Sequence, residues 1–568
     1  MAFNDLLCLI LFPIIFSVLA FPLGEYMAKV FSGQKNFLTP VAAPCEKFLY
    51  RLFGIDEKEE MSWKAYSLSL ILFNFIGLVF LFILQLVQGT LPLNPQKLGA
   101  VRWDTALNTA VSFVTNTNWQ SYSGEKTMSY LTQMLGLTVQ NFLSAATGIA
   151  VAVSVIRGFV RKTTSFIGNF WADLTRGVLY ILLPLSLILS LLLVSQGVTQ
   201  TLNGSIMAST IEGSTQVIAV GPVASQEAIK QIGTNGGGFF NVNSAHPLEN
   251  PSPLTGFLEM LGLMLIPAAL PFMLGAMLKN RRQGAALFAS MIFLYLAGLA
   301  IFAWSETSGN PLLEQAGIAQ GMNMEGKEVR NGIIGSVIFA HATTATSCGA
   351  VNSMHDSMTP LGGLILLFNM GTGEVIFGGV GVGLVGLLGY VIITMFLAGL
   401  MIGRTPELMG KKMEQFEMIM SLIIILTPAI LLLILSAIAA STGAGLAGIT
   451  NGGPHGLSQI IYTFASAAGN NGSAFAGINA NSVFYNLATA LAMLVGRFST
   501  LIPALAIAGS LANKKIIPAS AATFPTTGLL FTLMLICVII IVGALTFFPV
   551  FTLGPFLEHL LMAIGRTF

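Results

Sequence analysis

Four short strings of small polar residues carry the chemistry in this chain: Thr117-Asn118-Trp119-Gln120, Gly233-Thr234-Asn235-Gly236, Thr346-Ser347-Cys348-Gly349 and Gly469-Asn470-Asn471-Gly472. Thr, Ser and Asn offer neutral oxygens. Gly tolerates the positive φ that an irregular, extended backbone needs to aim successive carbonyls at one axis. None of the four strings contains Asp or Glu. Calcium or magnesium would require carboxylate oxygens, so the chemistry indicated is replacement of a monovalent cation's water shell by backbone carbonyls. With the last residue of each string as anchor, the separations are 116, 113 and 123 residues. One polar loop between apolar segments is ordinary, but four at near-equal spacing are an internal repeat. The second and fourth also agree downstream. Phe239 and Phe475 follow their glycines by three residues, and Asn241-Val242-Asn243-Ser244 matches Asn479-Ala480-Asn481-Ser482.

The elements that must position these strings follow from composition. Of 568 residues 54% are hydrophobic and only 9% charged, whereas a soluble domain carries roughly 25% charged residues. Most side chains must therefore meet lipid or protein. A span needs about 20 apolar residues. Ten candidates lie near 5–28, 65–88, 127–156, 175–196, 253–279, 283–304, 359–403, 417–440, 482–511 and 523–549. Each polar string falls between two of them. The residues just ahead of a string, such as Asp104 to Thr115 and Pro454 to Ala465, suit a short helix whose C-terminal end, about half a negative charge, faces the string. Non-helical backbone is tolerated at membrane depth only inside protein or beside a cavity.

The expected fold is thus an all-α polytopic membrane protein of about ten transmembrane helices. It holds four pseudo-fourfold span–pore helix–filter–span repeats around one pore. The expected units are 1–63 (first span and linker), 64–162, 163–282, 283–412 and 413–515 (pore repeats 1 to 4) and 516–568 (last span and tail). Basic residues crowd the connections that follow odd-numbered spans, as with Arg157, Arg161, Lys162, Arg281, Arg282, Lys411, Lys412, Lys514 and Lys515. By the positive-inside bias, both termini are expected outside. The opening Met1-Ala2-Phe3-Asn4-Asp5 has no positive charge ahead of its apolar run, which argues for a retained span rather than a cleaved signal. A net charge of +2 without a basic run gives no reason to expect nucleic acid. Cys8 and Cys537, in apolar runs, are expected to be small core residues. Cys348 is expected to contribute its carbonyl with the thiol turned away.

Two features lie off the strings. The stretch 359–403 is too long for one straight span and is interrupted by Asn369-Met370-Gly371-Thr372-Gly373-Glu374. This suggests a broken helix beneath the filter, with Gly371, Gly373 and Glu374 forming a gate loop; the alternative is a packing kink. Arg497 sits inside a span, where an Arg costs about 2.5–3.5 kcal/mol on insertion scales. Arg404, at the inner end of the third repeat, could anchor the gate or be an ordinary inner-loop charge. Neither a DKTG phosphorylation site nor a GxxxxGK[ST] loop is present, so ATP hydrolysis is not expected of this chain.

The strings and their flanks resemble the potassium-binding KdpA members of the bacterial Kdp potassium-transporting ATPase. The resemblance rests on Asn116 through Tyr122, Gly233 through Asn241, Ala345 through Asn352 and Asn470 through Phe475, and runs the length of the chain. It implies that potassium is the transported ion. It also implies a filter made of Asn118, Gln120, Thr234, Asn235, Gly236, Asn243, Ser347, Cys348, Gly349, Asn470, Asn471 and Gly472, with Gln120 standing where the other strings have Gly. Related transporters carry an Arg under the fourth filter segment as an electrostatic barrier, which is the role implied for Arg497. The expected partners are the P-type ATPase component KdpB and the small components KdpC and KdpF, in the bacterial inner membrane. A self-sufficient channel or symporter of the Trk or Ktr type shares the filter logic, but its four two-span repeats account for eight spans rather than ten.

Overall fold

The computed structural model describes residues 3–315, 317, 323–403, 406–518 and 524–566. Ten helices among the described residues are long and apolar enough to cross a membrane. They divide by burial. The helices that follow the polar strings, Thr132–Val160, Pro253–Met277, Val382–Met401 and Val483–Asn513, are 83%, 72%, 78% and 67% buried over their most apolar windows. Those that precede the strings, Trp63–Thr90, Phe170–Ser195, Arg281–Thr307 and Gln415–Ser441, are 28%, 39%, 44% and 28% buried. So the second span of each pair lines the centre and the first faces lipid. The first helix of the chain, Phe3–Phe31, and the last span, Leu529–Ala563, lie outside this ring at 22% and 33%.

Between the two spans of each pair sits a short helix that stops in mid-fold. These pore helices are Trp103–Val114, Val223–Ile232, Gly332–Ala345 and Gly453–Gly469. Local chemistry sets their starts and those of the spans. Asp104 occupies the first turn of the first pore helix and pairs with Arg102 at 2.5 Å, where a carboxylate is favoured by the helix dipole. Ser252 and Thr255 form a reciprocal capping box, with Pro253 in the first turn, at the head of Pro253–Met277. Glu414 and Glu417 do the same for Gln415–Ser441, and Ser482 caps Val483–Asn513.

The break in the long apolar stretch lies further along than the sequence suggested. Pro360–Gly371 is helical, residues 372–381 are not, and the helix resumes at Val382. Gly371 is therefore the last helical residue, with Phe547 and Phe551 of the final span 3.3 Å from where its Cβ would be. Gly373, Glu374, Gly378 and Gly381 all have positive φ (74°, 54°, 68° and 87°), a density of left-handed positions that no helix continues through. Cys8 and Cys537 are exposed on peripheral helices, not core residues; a small apolar thiol fits a lipid-facing surface equally well. Arg404 lies outside the described residues.

Candidate functional site

Each pore helix ends in the same way. The amide of Thr117 donates to Ser112 O (2.9 Å), Asn235 to Lys230 O (2.9 Å), Cys348 to Thr343 O (3.0 Å) and Asn471 to Ser466 O (2.8 Å). Every one of these bonds closes on the fifth residue back. The residue ahead of each donor is left-handed: Asn116 (φ 62°), Thr234 (47°), Ser347 (53°) and Asn470 (60°). The residue after it is left-handed again at Asn118 (55°), Gly236 (100°) and Gly472 (98°), though not at Gly349. Alternating handedness of this kind turns successive carbonyls toward a common side.

This pattern moves the anchor of the first string. Its counterpart of Gly236 and Gly472 is Asn118, two residues before Gln120. Asn is the non-glycine residue that best tolerates the left-handed region, and it stands there in place of a glycine. Gln120 lies further out, where its amide holds both backbone groups of Gly238: its Nε2 donates to Gly238 O (3.1 Å) and its Oε1 accepts from Gly238 N (3.0 Å).

The four segments meet in a closed ring. A Cβ on Gly236 would fall 2.0 Å from Gly349 N, one on Gly349 2.8 Å from the carbonyl carbon of Gly472, and one on Gly472 1.8 Å from Thr117 O. A Cβ on Gly237 would lie 3.0 Å from Asn118 Cβ, which completes the circuit. Side chains tie neighbours together from behind. Asn235 Nδ2 donates to Asn116 Oδ1 (2.6 Å), and Asn116 Nδ2 to Thr234 O (3.2 Å). Ser347 Oγ donates to Asn470 O (3.0 Å), Asn470 Nδ2 to Thr117 Oγ1 (2.9 Å), and Asn471 Nδ2 to Thr343 O (3.3 Å). Thr343 Oγ1 donates to the carbonyl of Cys348, and Asn243 Nδ2 to Gly236 O (2.9 Å). The twin motif diverges here: Asn243 holds the ring backbone at Gly236, whereas Asn481 accepts from Thr105 and Arg102 at the head of the first pore helix.

Above the ring a cavity of about 950 Å³ reaches Asn118, Gln120, Gly236, Asn243, Gly349 and Gly472. Below it a void of about 40 Å³ is bounded by Ser347, Gly373, Glu374, Gly379, Asn470 and Arg497, room for a water or one bare cation. Residues 372–381 close the underside and touch all four repeats. Val380 N donates to Thr234 Oγ1 (2.9 Å), and Phe377 N and Gly378 N donate to Ala345 O (3.1 and 2.7 Å). A Cβ on Gly381 would fall 2.0 Å from Gly148 O, and one on Gly469 3.6 Å from the Glu374 carboxyl. Glu374 is buried, with Oε1 unpartnered, directly under the ring. Arg497 Nη2 donates to Ser144 O (3.2 Å) from the opposite wall. The ring thus brings together the sequence-selected Asn118, Thr234, Asn235, Gly236, Asn243, Ser347, Cys348, Gly349, Asn470, Asn471 and Gly472. It adds Asn116, which a reading of Asn as a left-handed residue would have found, and gives Thr117 of the first string a place in the ring.

With this geometry in place, likeness to known proteins is informative. The family model described as "Potassium-transporting ATPase A subunit" (KdpA) matches residues 10–560. The chain belongs to the KdpA family. The "Potassium-transporting ATPase potassium-binding subunit" of Methylorubrum extorquens is 55% identical over 568 residues, 100% of this chain and 99% of that one. The protein of the same name from Mesorhizobium japonicum is 54% identical, with 100% of both chains covered. Among solved structures, the potassium transporter TrkH from Vibrio parahaemolyticus superposes with a TM-score of 0.49 at 13% identity over 88% of this chain and 98% of that one, too distant to carry an argument. As a KdpA-family protein the chain is a multi-pass membrane protein and the non-catalytic, potassium-binding member of its ATPase.

Proposed function

We propose that residues 116–118, 234–236, 347–349 and 470–472 form the potassium filter, and that the ion enters it from the cavity above. The observation that carries this reading is the fourfold recurrence of one backbone pattern in a closed ring. Each segment has a bond to the fifth residue back with a left-handed residue ahead of the donor, three of the four have a second left-handed residue after it, and none contributes a carboxylate. Gln120 braces the mouth. The working units are the repeats at 64–162, 163–282, 283–412 and 413–515. Residues 372–381, with Gly373 and Glu374, form the gate: the loop blocks straight passage, Glu374 offers a carboxylate to the ion at the ring's inner end, and Arg497 repels it from the inner side. The P-type ATPase component KdpB, with the small KdpC and KdpF, draws the ion onward. The assembly sits in a bacterial inner membrane with both termini of this chain outside, an orientation supported by the basic residues gathered at the ends of spans opposite the filter.

The test is potassium-stimulated ATP hydrolysis by the purified assembly carrying Gly236→Asp. The new side chain would be forced into a left-handed position 2.0 Å from Gly349 N. Strain of this kind should raise the KM for potassium about tenfold or more and narrow the preference for potassium over rubidium. Native values for both would sink the filter assignment.

A further inference from the structure

The residue that closes each pore helix points its side chain at the filter segment or at the backbone just beyond it. In three repeats it is a short hydroxyl. Ser112 Oγ donates to Trp119 O (2.9 Å), Thr343 Oγ1 donates to Cys348 O, and Ser466 Oγ accepts from Gly472 N (3.0 Å). In the second repeat the same position holds Lys230, whose side chain is 0% exposed. Nothing in ion coordination calls for an ammonium beside a cation filter, so its presence there needs a separate reason.

The second segment is also the one that continues as Gly237-Gly238, a stretch with no side chains of its own to wedge it in place. Lys230 Nζ pairs with Glu227 Oε2 at 2.6 Å and with Glu249 Oε1, and donates to Ser244 Oγ at 3.3 Å. The other oxygen of Glu249 accepts the amide of Phe240 at 3.2 Å. This charged group packs against the backbone that leaves the second filter segment, at Gly238 and Phe240. A Cβ on Gly238 would lie 2.6 Å from Glu249 Oε1 and 3.2 Å from Lys230 Nζ. Glu227, Lys230 and Glu249 are all buried, in a place where unpaired charge is costly and paired charge is held to one geometry.

We infer that Lys230, clamped between Glu227 and Glu249, is a positioning residue for ion discrimination: it fixes the second filter segment from behind in place of the hydroxyl used by the other three. This rests on the filter reading above. A carbonyl cage separates ions of similar size by how firmly its dipoles are held. Loosening one of four segments should therefore admit rubidium more readily and weaken potassium binding before it slows turnover.

The experiment measures KM, maximal rate and the potassium-to-rubidium KM ratio in the purified ATPase assembly carrying K230M, with E249Q as a milder partner. E249Q keeps the shape and the acceptor for Phe240 N but takes one charge from the ammonium. K230M should raise the potassium KM about tenfold, the worth of one charge-assisted hydrogen bond. It should also shrink the ion ratio, with KM moving more than the maximal rate. E249Q should shift both in the same direction by less. If K230M assembles and keeps the native KM and ratio, the inference is overturned. If K230M does not assemble, E249Q decides: a shifted ratio supports the inference and a native one overturns it. Gly236→Asp in the same assay separates the two readings. A changed ratio there beside native values in the Lys230 and Glu249 variants removes only this inference, whereas no change at Gly236 removes the filter itself.

Discussion

At the residue scale, the first filter segment shows what a string of letters hides. Gln120 ends a motif in line with three glycines, yet the backbone aligns Asn118 with them. Letter matching favours the position where the motif visibly ends. The physics follows φ, and Asn is the residue other than Gly that holds a positive value at modest cost. The two side chains therefore do different work. Asn118 is inside the ring, with Nδ2 donating to Asn141 Oδ1 at 2.6 Å, whereas Gln120 braces Gly238 from the partly open mouth. Asn118→Ala should cost more than Gln120→Leu. Alanine pays about 1–2 kcal/mol for the left-handed region and loses the Asn141 bond, which predicts about a tenfold rise in potassium KM against about threefold or less for Gln120→Leu. The reverse order in steady-state potassium uptake would put Gln120 back in the ring.

At the element scale, the ten spans were legible because lipid leaves a long, nearly uncharged run that no soluble fold needs. Pore helices were legible only where turn residues framed them. Gly453–Gly469 runs a full turn past the Ala465 expected from pattern, since small apolar residues do not announce where a buried helix stops. The sequence places the break nearer Asn369 than the 372–381 of the structure, because contact with all four repeats, together with the left-handed glycines, decides where the chain leaves the helix. Packing between elements also ties the outer end of the fourth pore helix to the rest. His455 bonds to Asp356 Oδ1 at 2.9 Å and to Glu558 Oε1 at 2.8 Å, which links that helix to the loop after the third string and to Leu557–Ala563, the C-terminal end of the last span. Burial alone would lower the His455 pKa, but the bonds to the two carboxylates outweigh it and raise the value from 6.5 to about 10. A folded-state value above the unfolded one means stabilisation that is fully present below pH 6.5 and lost as pH rises through about 10. The purified protein should therefore lose more of its melting temperature between those two pH values than H455Q does. Parallel curves for the two would show that the imidazolium contributes nothing to holding this corner.

At the scale of the whole molecule, the four repeats share a backbone but divide the chemistry. The second braces its segment with buried charge, the third breaks its inner span to close the underside, and the fourth carries Arg497. That guanidinium lies below the ring and bridges to Ser144 O on the inner span of the first repeat. No carboxylate among the described residues pairs with it, although Glu374 lines the same void. An unneutralised cation in a low-dielectric wall projects its field into the narrow space beneath the filter. On the proposed path a potassium ion leaving the ring would meet Glu374 and the field of Arg497 in the same void, and that field would favour a pause under the filter over escape down the axis. Straight leakage would short-circuit any ATP-driven gradient, and the barrier proposed for Arg497 would prevent it. Arg497→Gln keeps much of the length and a donor for Ser144 O while removing the charge. In vesicles without ATP it should raise passive rubidium flux by about tenfold or more, and with ATP it should lower the potassium accumulated per ATP hydrolysed. Flux as slow as that of the native assembly, with the transport ratio intact, would reduce Arg497 to a strut between two inner helices and leave the 372–381 loop as the whole of the barrier.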